Sequence, residues 1–251
     1  MNITVMVGHP GWLRGQATYA DGWLTLEKPD VYLVEHAPDL PFTLAGIRTP
    51  AEAVKCVESS GLLRLGMDAT EHRERFTDWQ QTALELVETM DLYMVFRAAR
   101  QGHPEGLNRL RELVARATGQ PSDNEAAKVV VDSAEIGLAD RLRRGTGQVE
   151  CEIMPGVVTG HNLSWTVVPK TLLSVVYHQL AGLIFTDREF RYCMDCGRVF
   201  LVGNPNQRFC NNTCASRHRY HRKAERQRRD RQDALKASQE IGALDSAPGV
   251  P

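Results

Sequence analysis

Four of the six cysteines fall in one cluster, which reads Cys193-Met-Asp-Cys196, thirteen further residues, then Cys210-Asn-Asn-Thr-Cys214. Two thiolates separated by two residues can be aimed at one point by a tight turn. Gly197 follows directly, where such a turn needs positive φ. The second pair suits the start of a helix, with Asn211, Asn212 or Thr213 as the cap. Four thiolates complete the tetrahedral shell of Zn2+ and leave no open position, so the expected chemistry is structural rather than catalytic. Cys193, Cys196, Cys210 and Cys214 are thus the expected ligands of one zinc ion. His218 and His221 lie on the same side of the following helix as Cys214 and are the rival ligands. Four unrelated thiols, or a redox pair, are the competing reading, which the paired spacing disfavours. Cys56 and Cys151 are isolated in sequence and read as plain buried thiols.

The residues between the two pairs have the length of a small hairpin. Val199, Phe200 and Leu201 read as an apolar strand, Gly203 to Asn206 as a turn, and Phe209 as the return beside Cys210. Such a segment has too few apolar side chains to fold alone, so the metal must supply much of its stability. Knuckle, hairpin and ligand-bearing helix in that order describe a treble clef. Beyond Cys214 runs ASRHRYHRKAERQRRDRQDALKASQE, with no helix breaker before Gly242. From Arg217 to Arg231 eight Lys and Arg stand against two acids.

At about 100° per residue, Arg219, Arg222, Arg226 and Arg229 share an arc of about 80°, with Lys223 just beyond its edge. Cys214 points about 100° from the centre of that arc, so a metal can anchor one side of the helix while the arginines stay free on another. Guanidinium forks suit phosphate and guanine edges. Double-stranded DNA is the expected partner, contacted by Arg217, Arg219, Arg222, Lys223, Arg226 and Arg229. Tyr220, alone among basic residues, is a poor stacking platform for single strands. A solvated helix without a partner is the bland alternative.

The elements that carry this cluster come from a chain with an uneven charge distribution. Residues 1–186 hold 17 Lys and Arg against 23 Asp and Glu, and residues 187–251 hold 13 against 8. An acidic body of residues 1–186 is expected, then a zinc finger with its basic helix over 187–236, then a disordered tail over 237–251. Hydrophobic content of 42% is ordinary for a globular chain. No secretory leader is visible, and the longest apolar stretch, Leu172 to Phe185, is interrupted and too short to span a membrane. A cytoplasmic location without membrane contact is expected, and a reducing compartment favours metal over disulfides.

Short strands are expected at Ile3–Val7, Gly22–Leu26 and Val31–Val34. Thr49-Pro50-Ala51-Glu52 is a helix start with a capping-box spacing, ending at Gly61. Helices are expected from about Thr70 to Arg100, over Glu105–Ala117 and from Lys170 to about Phe185, with strand character at Lys128–Asp132 and Gln148–Ile153. The fold class is therefore α+β: a mixed N-terminal domain with several helices, a small treble-clef-like zinc finger and a long basic C-terminal helix. Trp12, Trp23, Trp79 and Trp165 are candidate core anchors. The scattered histidines His9, His36, His72, His103 and His161 form no ligand set.

The stretches CMDCGRVFL and QRFCNNTCASRHRYHR, closing on a basic tail, resemble the bacterial CGNR zinc-finger family. The motif that names the family reads Cys214-Ala-Ser-Arg217 here and keeps its cysteine and arginine. Upstream, Thr49-Pro-Ala-Glu-Ala and Ser60-Gly-Leu-Leu are similar to the early helix of the ABATE domain that precedes the finger in that family. The resemblance implies a stress-related transcription regulator, in which the N-terminal domain senses a small-molecule ligand or forms a homo-oligomer and the finger docks on DNA. One alternative is a protein- or RNA-interaction module whose zinc finger is only a staple. Another is a treble-clef nuclease, which needs a histidine base on the hairpin; Gly197–Phe209 contains none. No phosphate-binding glycine loop, HExxH or nucleophile elbow occurs, so no enzyme activity is expected.

Overall fold

The computed structural model of the chain describes residues 4–7, 11–33, 39–64, 72–118, 127–146, 149–152, 164–169 and 171–244. β2 (Gly11–Ala20) and β3 (Trp23–Leu33) form an antiparallel hairpin closed by Asp21-Gly22 at φ 50° and 83°. Two successive positive φ values make the turn whose twist matches that of the strands it joins, and Asp-Gly is a preferred pair for it. Thus β3 is one long strand where two short ones are expected from the sequence, and Gly11–Ala20 is a strand its polar, glycine-containing sequence does not announce.

β4 (Arg73–Arg75) pairs with the other edge of β3, setting Trp23 opposite Arg75 and Thr25 opposite Arg73. The Arg73 and Arg75 guanidinium groups lie 4.9 and 5.1 Å from the Trp23 ring centroid. Trp23 is therefore half-exposed, whereas Trp79 is the buried anchor at 1% exposure. The Trp12 and Trp165 side chains lie outside the described ones. Glu74, between the two arginines, turns inward and is buried. Its carboxylate accepts the Leu63 N–H at 2.9 Å, the Arg64 N–H at 2.5 Å and the Trp79 indole N–H at 2.7 Å. Filling those lone pairs is what permits a carboxylate to stay in the interior. A second sheet has the order β1-β6-β5: β1 (Thr4–Val7) runs parallel to β6 (Ser164–Pro169), and β5 (Val149–Glu152) antiparallel to it.

α1 (Leu40–Ala45) and α2 (Pro50–Ser60) follow the hairpin. In α2 the Thr49 hydroxyl accepts the Glu52 N–H and the Glu52 carboxylate accepts the Thr49 N–H, which is the capping box expected from the sequence. α3 (Phe76–Arg100) is the central helix, with Trp79, Leu86, Met90, Tyr93 and Phe96 buried, and it packs against α1, α4 (Pro104–Thr118) and α5 (Ala127–Thr146). α6 (Leu172–Phe185) packs against α5 and buries Leu172, Val175, Val176 and Leu180.

The strand expected at Lys128–Asp132 is instead the first part of α5. Its β-branched run Val129-Val130-Val131 favours a strand, but Val130, Ala134, Leu138 and Leu142 recur every fourth residue and are all buried. Burial of that stripe overrides local propensity. The fold is α+β, and no helix among the described residues is long and apolar enough to cross a membrane. The chain divides into two compact units: Met1–Arg191 with Val199–Val202, and Tyr192–Arg198 with Gly203–Pro251.

Candidate metal centre

β7 (Phe190–Tyr192) and β8 (Val199–Leu201) form a two-stranded sheet. The first cysteine pair occupies the connection between them. Cys193 donates its N–H to the Arg198 carbonyl at 2.8 Å, Gly197 donates to the Cys193 carbonyl at 2.9 Å, and Gly197 sits at φ 68°. A side chain at that φ is strained, so the glycine after the pair is what lets the knuckle close. The strand partner of β8 therefore precedes the first pair; from the sequence, the partner was expected at Phe209. The segment after β8 is instead a clipped loop. The Gln207 carboxamide accepts the Gly203 N–H at 3.0 Å and donates to the Phe209 carbonyl at 3.1 Å, while Met194 donates to the Arg208 carbonyl at 3.1 Å.

Cys210 then leads into α7 (Asn212–Leu244). Of the three capping candidates, Asn211 does the work: its side-chain oxygen accepts the Cys214 N–H at 2.9 Å. This fixes Cys214 on the first turn. The helix continues past Lys236, where the sequence suggested its end, and residues 245–251 lie outside the described ones. Its 33 residues span about 50 Å.

The Sγ atoms of Cys193, Cys196, Cys210 and Cys214 all lie within 4.8 Å of one another. Cys196 and Cys210 are 3.7 Å apart, and Cys210 and Cys214 3.6 Å. A tetrahedron with arms of about 2.3 Å has edges of about 3.8 Å, whereas a disulfide requires about 2.05 Å. All four thiols are free, and the donor set fits one metal ion. Cys193 and Cys214 are buried, and Cys196 and Cys210 half-buried.

Without a cation the thiols divide. Burial acts to raise Cys193, but backbone N–H groups of Cys196, Cys210 and Asp195 outweigh it and bring the thiol down to about 6. Burial and the neighbouring sulfurs push Cys210 up, and burial brings Cys214 up to about 11. A metal resolves this crowding by replacing protons with one shared positive centre.

Arg217 belongs to this centre. Its Nε and Nη2 donate to Asp195 Oδ2 at 2.8 and 2.5 Å, and Nη2 also lies 3.7 Å from Cys214 Sγ. The Arg217 hydrogen bond holds the Asp195 carboxyl below the usual carboxylate range. Four thiolates around a divalent ion leave two negative charges, which a guanidinium at the sulfur offsets. Helical phase signals this role in advance, because Arg217 points about 160° away from the centre of the arginine arc. Asp195, inside the knuckle, is the partner that sequence reasoning missed. The rival histidines are placed elsewhere: His218 packs at a tilt against Phe209 with ring centroids 5.1 Å apart, and His221 lies beside Tyr220 at 6.1 Å.

The remaining basic residues singled out from the sequence, Arg219, Arg222, Lys223, Arg226 and Arg229, are all exposed on α7. Arg219 Nε donates to the Ala215 carbonyl at 3.3 Å. Among the described residues none of the five enters an ion pair. Cys56, outside the centre, is buried at 3% exposure, and burial raises its thiol to about 12; the Cys151 side chain lies outside the described ones. Comparison with protein-family models, curated proteins and solved structures finds no match for the chain.

Proposed function

We propose that the chain is a DNA-binding transcription regulator of the CGNR zinc-finger kind, in which a structural Zn2+ held by Cys193, Cys196, Cys210 and Cys214 sets a treble-clef finger and anchors α7 as the DNA-facing helix. Four sulfurs at tetrahedral edge spacing favour Zn2+ over harder cations, which take oxygen ligands. The observation that carries the reading is the exposed row Arg219, Arg222, Arg226 and Arg229, none of which enters an ion pair among the described residues. Like charges in a row repel unless a polyanion lies along them. A long helix carrying a row of arginines suits a major groove, and arginine forks engage phosphates and guanine edges. The acidic α+β body of residues 1–186 then serves sensing or self-association.

The test is fluorescence anisotropy with duplex DNA at several salt concentrations, on zinc-loaded protein and on the variant with Arg219, Arg222, Arg226 and Arg229 changed to Ala. Each lost phosphate contact lowers the salt slope by about 0.9, so the variant loses up to about 3.6. Binding that is absent at low salt, or unchanged in the variant, refutes the reading and makes the finger a staple for a protein or RNA partner.

A further inference from the structure

α3, α5, α6 and the segment after α2 line a half-open cavity of about 640 Å³ wholly within the first compact unit. That size lies within the range of small-molecule sites. Three guanidinium groups line it, Arg64, Arg141 and Arg144, against two carboxylates, Glu85 and Glu88. Arg141 is matched by Glu88 at 3.1 Å. Arg64 reaches Asp78 only at 3.9 Å, in solvent. Arg144 makes one long contact, Nε to the Asp140 carbonyl at 3.4 Å, and no ion pair among the described residues. On the cavity wall itself guanidinium groups thus outnumber carboxylates by three to two.

The hydrogen-bonding groups around that charge are buried. Thr171 and Ser174, at 6% and 1% exposure, cap the start of α6, where the helix dipole adds further positive potential. Tyr177 is 5% exposed and lines the same cavity, yet its hydroxyl has no hydrogen-bond partner among the described residues. Burial raises its pKa, with Glu85 adding to the shift and Arg141, Arg144 and Arg64 opposing it. That hydroxyl is open to the cavity rather than sealed in the core, so it is available to donate to a bound acceptor. The ring is held there by Gly145, on whose backbone a Cβ would fall inside the Tyr177 ring. The close approach of this ring leaves no room for a side chain at Gly145, at the end of α5.

We propose that this cavity binds a small organic anion, with its carboxylate or phosphate held by Arg64, Arg141 and Arg144 and hydrogen-bonded by the Tyr177 hydroxyl. Three guanidinium forks and a neutral donor, lining one cavity from three elements, match an oxyanion better than a cation or an apolar ligand. Glu85 faces the same space and suits a hydroxyl or ammonium elsewhere on the ligand. The site needs neither the metal nor α7, so it stands apart from the DNA-binding reading.

The test is calorimetric titration and thermal melting of the zinc-loaded full chain with inorganic phosphate and, separately, citrate, with sodium chloride matched for ionic strength. The expected result is saturable binding of one probe in the millimolar range or tighter, and which probe binds tells phosphate from carboxylate. Arg144→Ala weakens it at least tenfold, and Tyr177→Phe, which keeps the ring and its packing, weakens it about tenfold, the worth of one charge-assisted hydrogen bond. The variant with Arg219, Arg222, Arg226 and Arg229 changed to Ala binds as the parent does. The proposal is overturned if neither probe saturates, if Tyr177→Phe and Arg144→Ala both bind unchanged, or if only the α7 variant loses binding.

Discussion

Removing the metal is expected to unfold one part of the molecule and leave the rest. Within the unit formed by Tyr192–Arg198 and Gly203–Pro251, the buried apolar side chains among the described residues are those of Cys193 and Cys214, both candidate ligands. From Asn212 to Asp233, α7 offers no leucine, isoleucine or valine to a core, and every one of its arginines there is exposed. A helix without a packed face is marginal in water, and an arginine row weakens it further. Structural zinc in finger peptides contributes about 10–16 kcal/mol at neutral pH, which here has no hydrophobic substitute. α7 supplies 33 helical residues, against 25 in α3, 20 in α5, 15 in α4, 14 in α6, 11 in α2 and 6 in α1. Chelation, or Cys196→Ser, should therefore remove up to about a quarter of the 222 nm circular dichroism, with metal content read in the same samples. The body, with its own core around Trp79 and Leu86, should keep its cooperative melting. Acidification acts in the same direction, because protons compete with the metal for thiolates. A metal-free protein whose helical signal and tryptic protection of α7 stay at the metal-bound level would refute the argument.

Three further outcomes follow from the geometry. Glu74→Ala strands the Leu63, Arg64 and Trp79 N–H donors at about 1–3 kcal/mol each; urea denaturation should show a loss of about 3–9 kcal/mol, and a loss below about 1 kcal/mol would show that water replaces the carboxylate. Tyr93 donates to the Arg188 carbonyl at 2.8 Å and to Asp187 at 3.2 Å, and burial followed by the Asp187 charge raises its phenol to about 12. Its folded pKa exceeds the ordinary value of about 10, so the stability it confers is complete below pH 10 and lost as pH rises through 12; Tyr93→Phe should cost about 1 kcal/mol at neutral pH and abolish that alkaline step in denaturation curves. Arg217→Ala and Asp195→Ala should each weaken zinc retention against a chelator, with the double variant no worse than the single ones; additive losses would mean the two side chains act separately.

Much of the fold was legible where local chemistry dictates it. Thr49 to Glu52 names its capping box, and Phe76 to Arg100 with Pro104 to Thr118 follow from a long helical pattern broken at Gly102-His103. What failed depended on tertiary context. Val129-Val130-Val131 reads as a strand until Ala134, Leu138 and Leu142 reveal the stripe buried with Val130. β2 was invisible because Gly11, Gly15 and Gln16 dilute any alternation, and only its pairing with β3 across Asp21-Gly22 makes it a strand. Glu74 gave no sign at all. A single carboxylate between two arginines reads as surface, and its burial comes from donors on two other segments.

The metal centre was more legible because its partners are close in sequence and a tetrahedral ion accepts few arrangements. Its four cysteines converge as their spacing requires. The strand that closes the knuckle was not readable, because Phe190 to Tyr192 and Phe209 are equally plausible partners for Val199 to Leu201 until backbone bonds choose between them. The arginines divide on the same logic. Counted by charge, Arg217 belongs with Arg219 and Arg222. Counted by angle, it stands on the side of the sulfurs, where Asp195 takes it. One helix can therefore carry both proposed functions without conflict: its first turn holds the candidate ligand Cys214 with Arg217 beside it, and the face about 100° from Cys214 is free for the proposed polyanion. That separation also makes the two roles testable apart, since changing Arg217 should move metal retention, while changing Arg219, Arg222, Arg226 and Arg229 should lower the affinity for DNA and its salt slope and leave metal retention as it is.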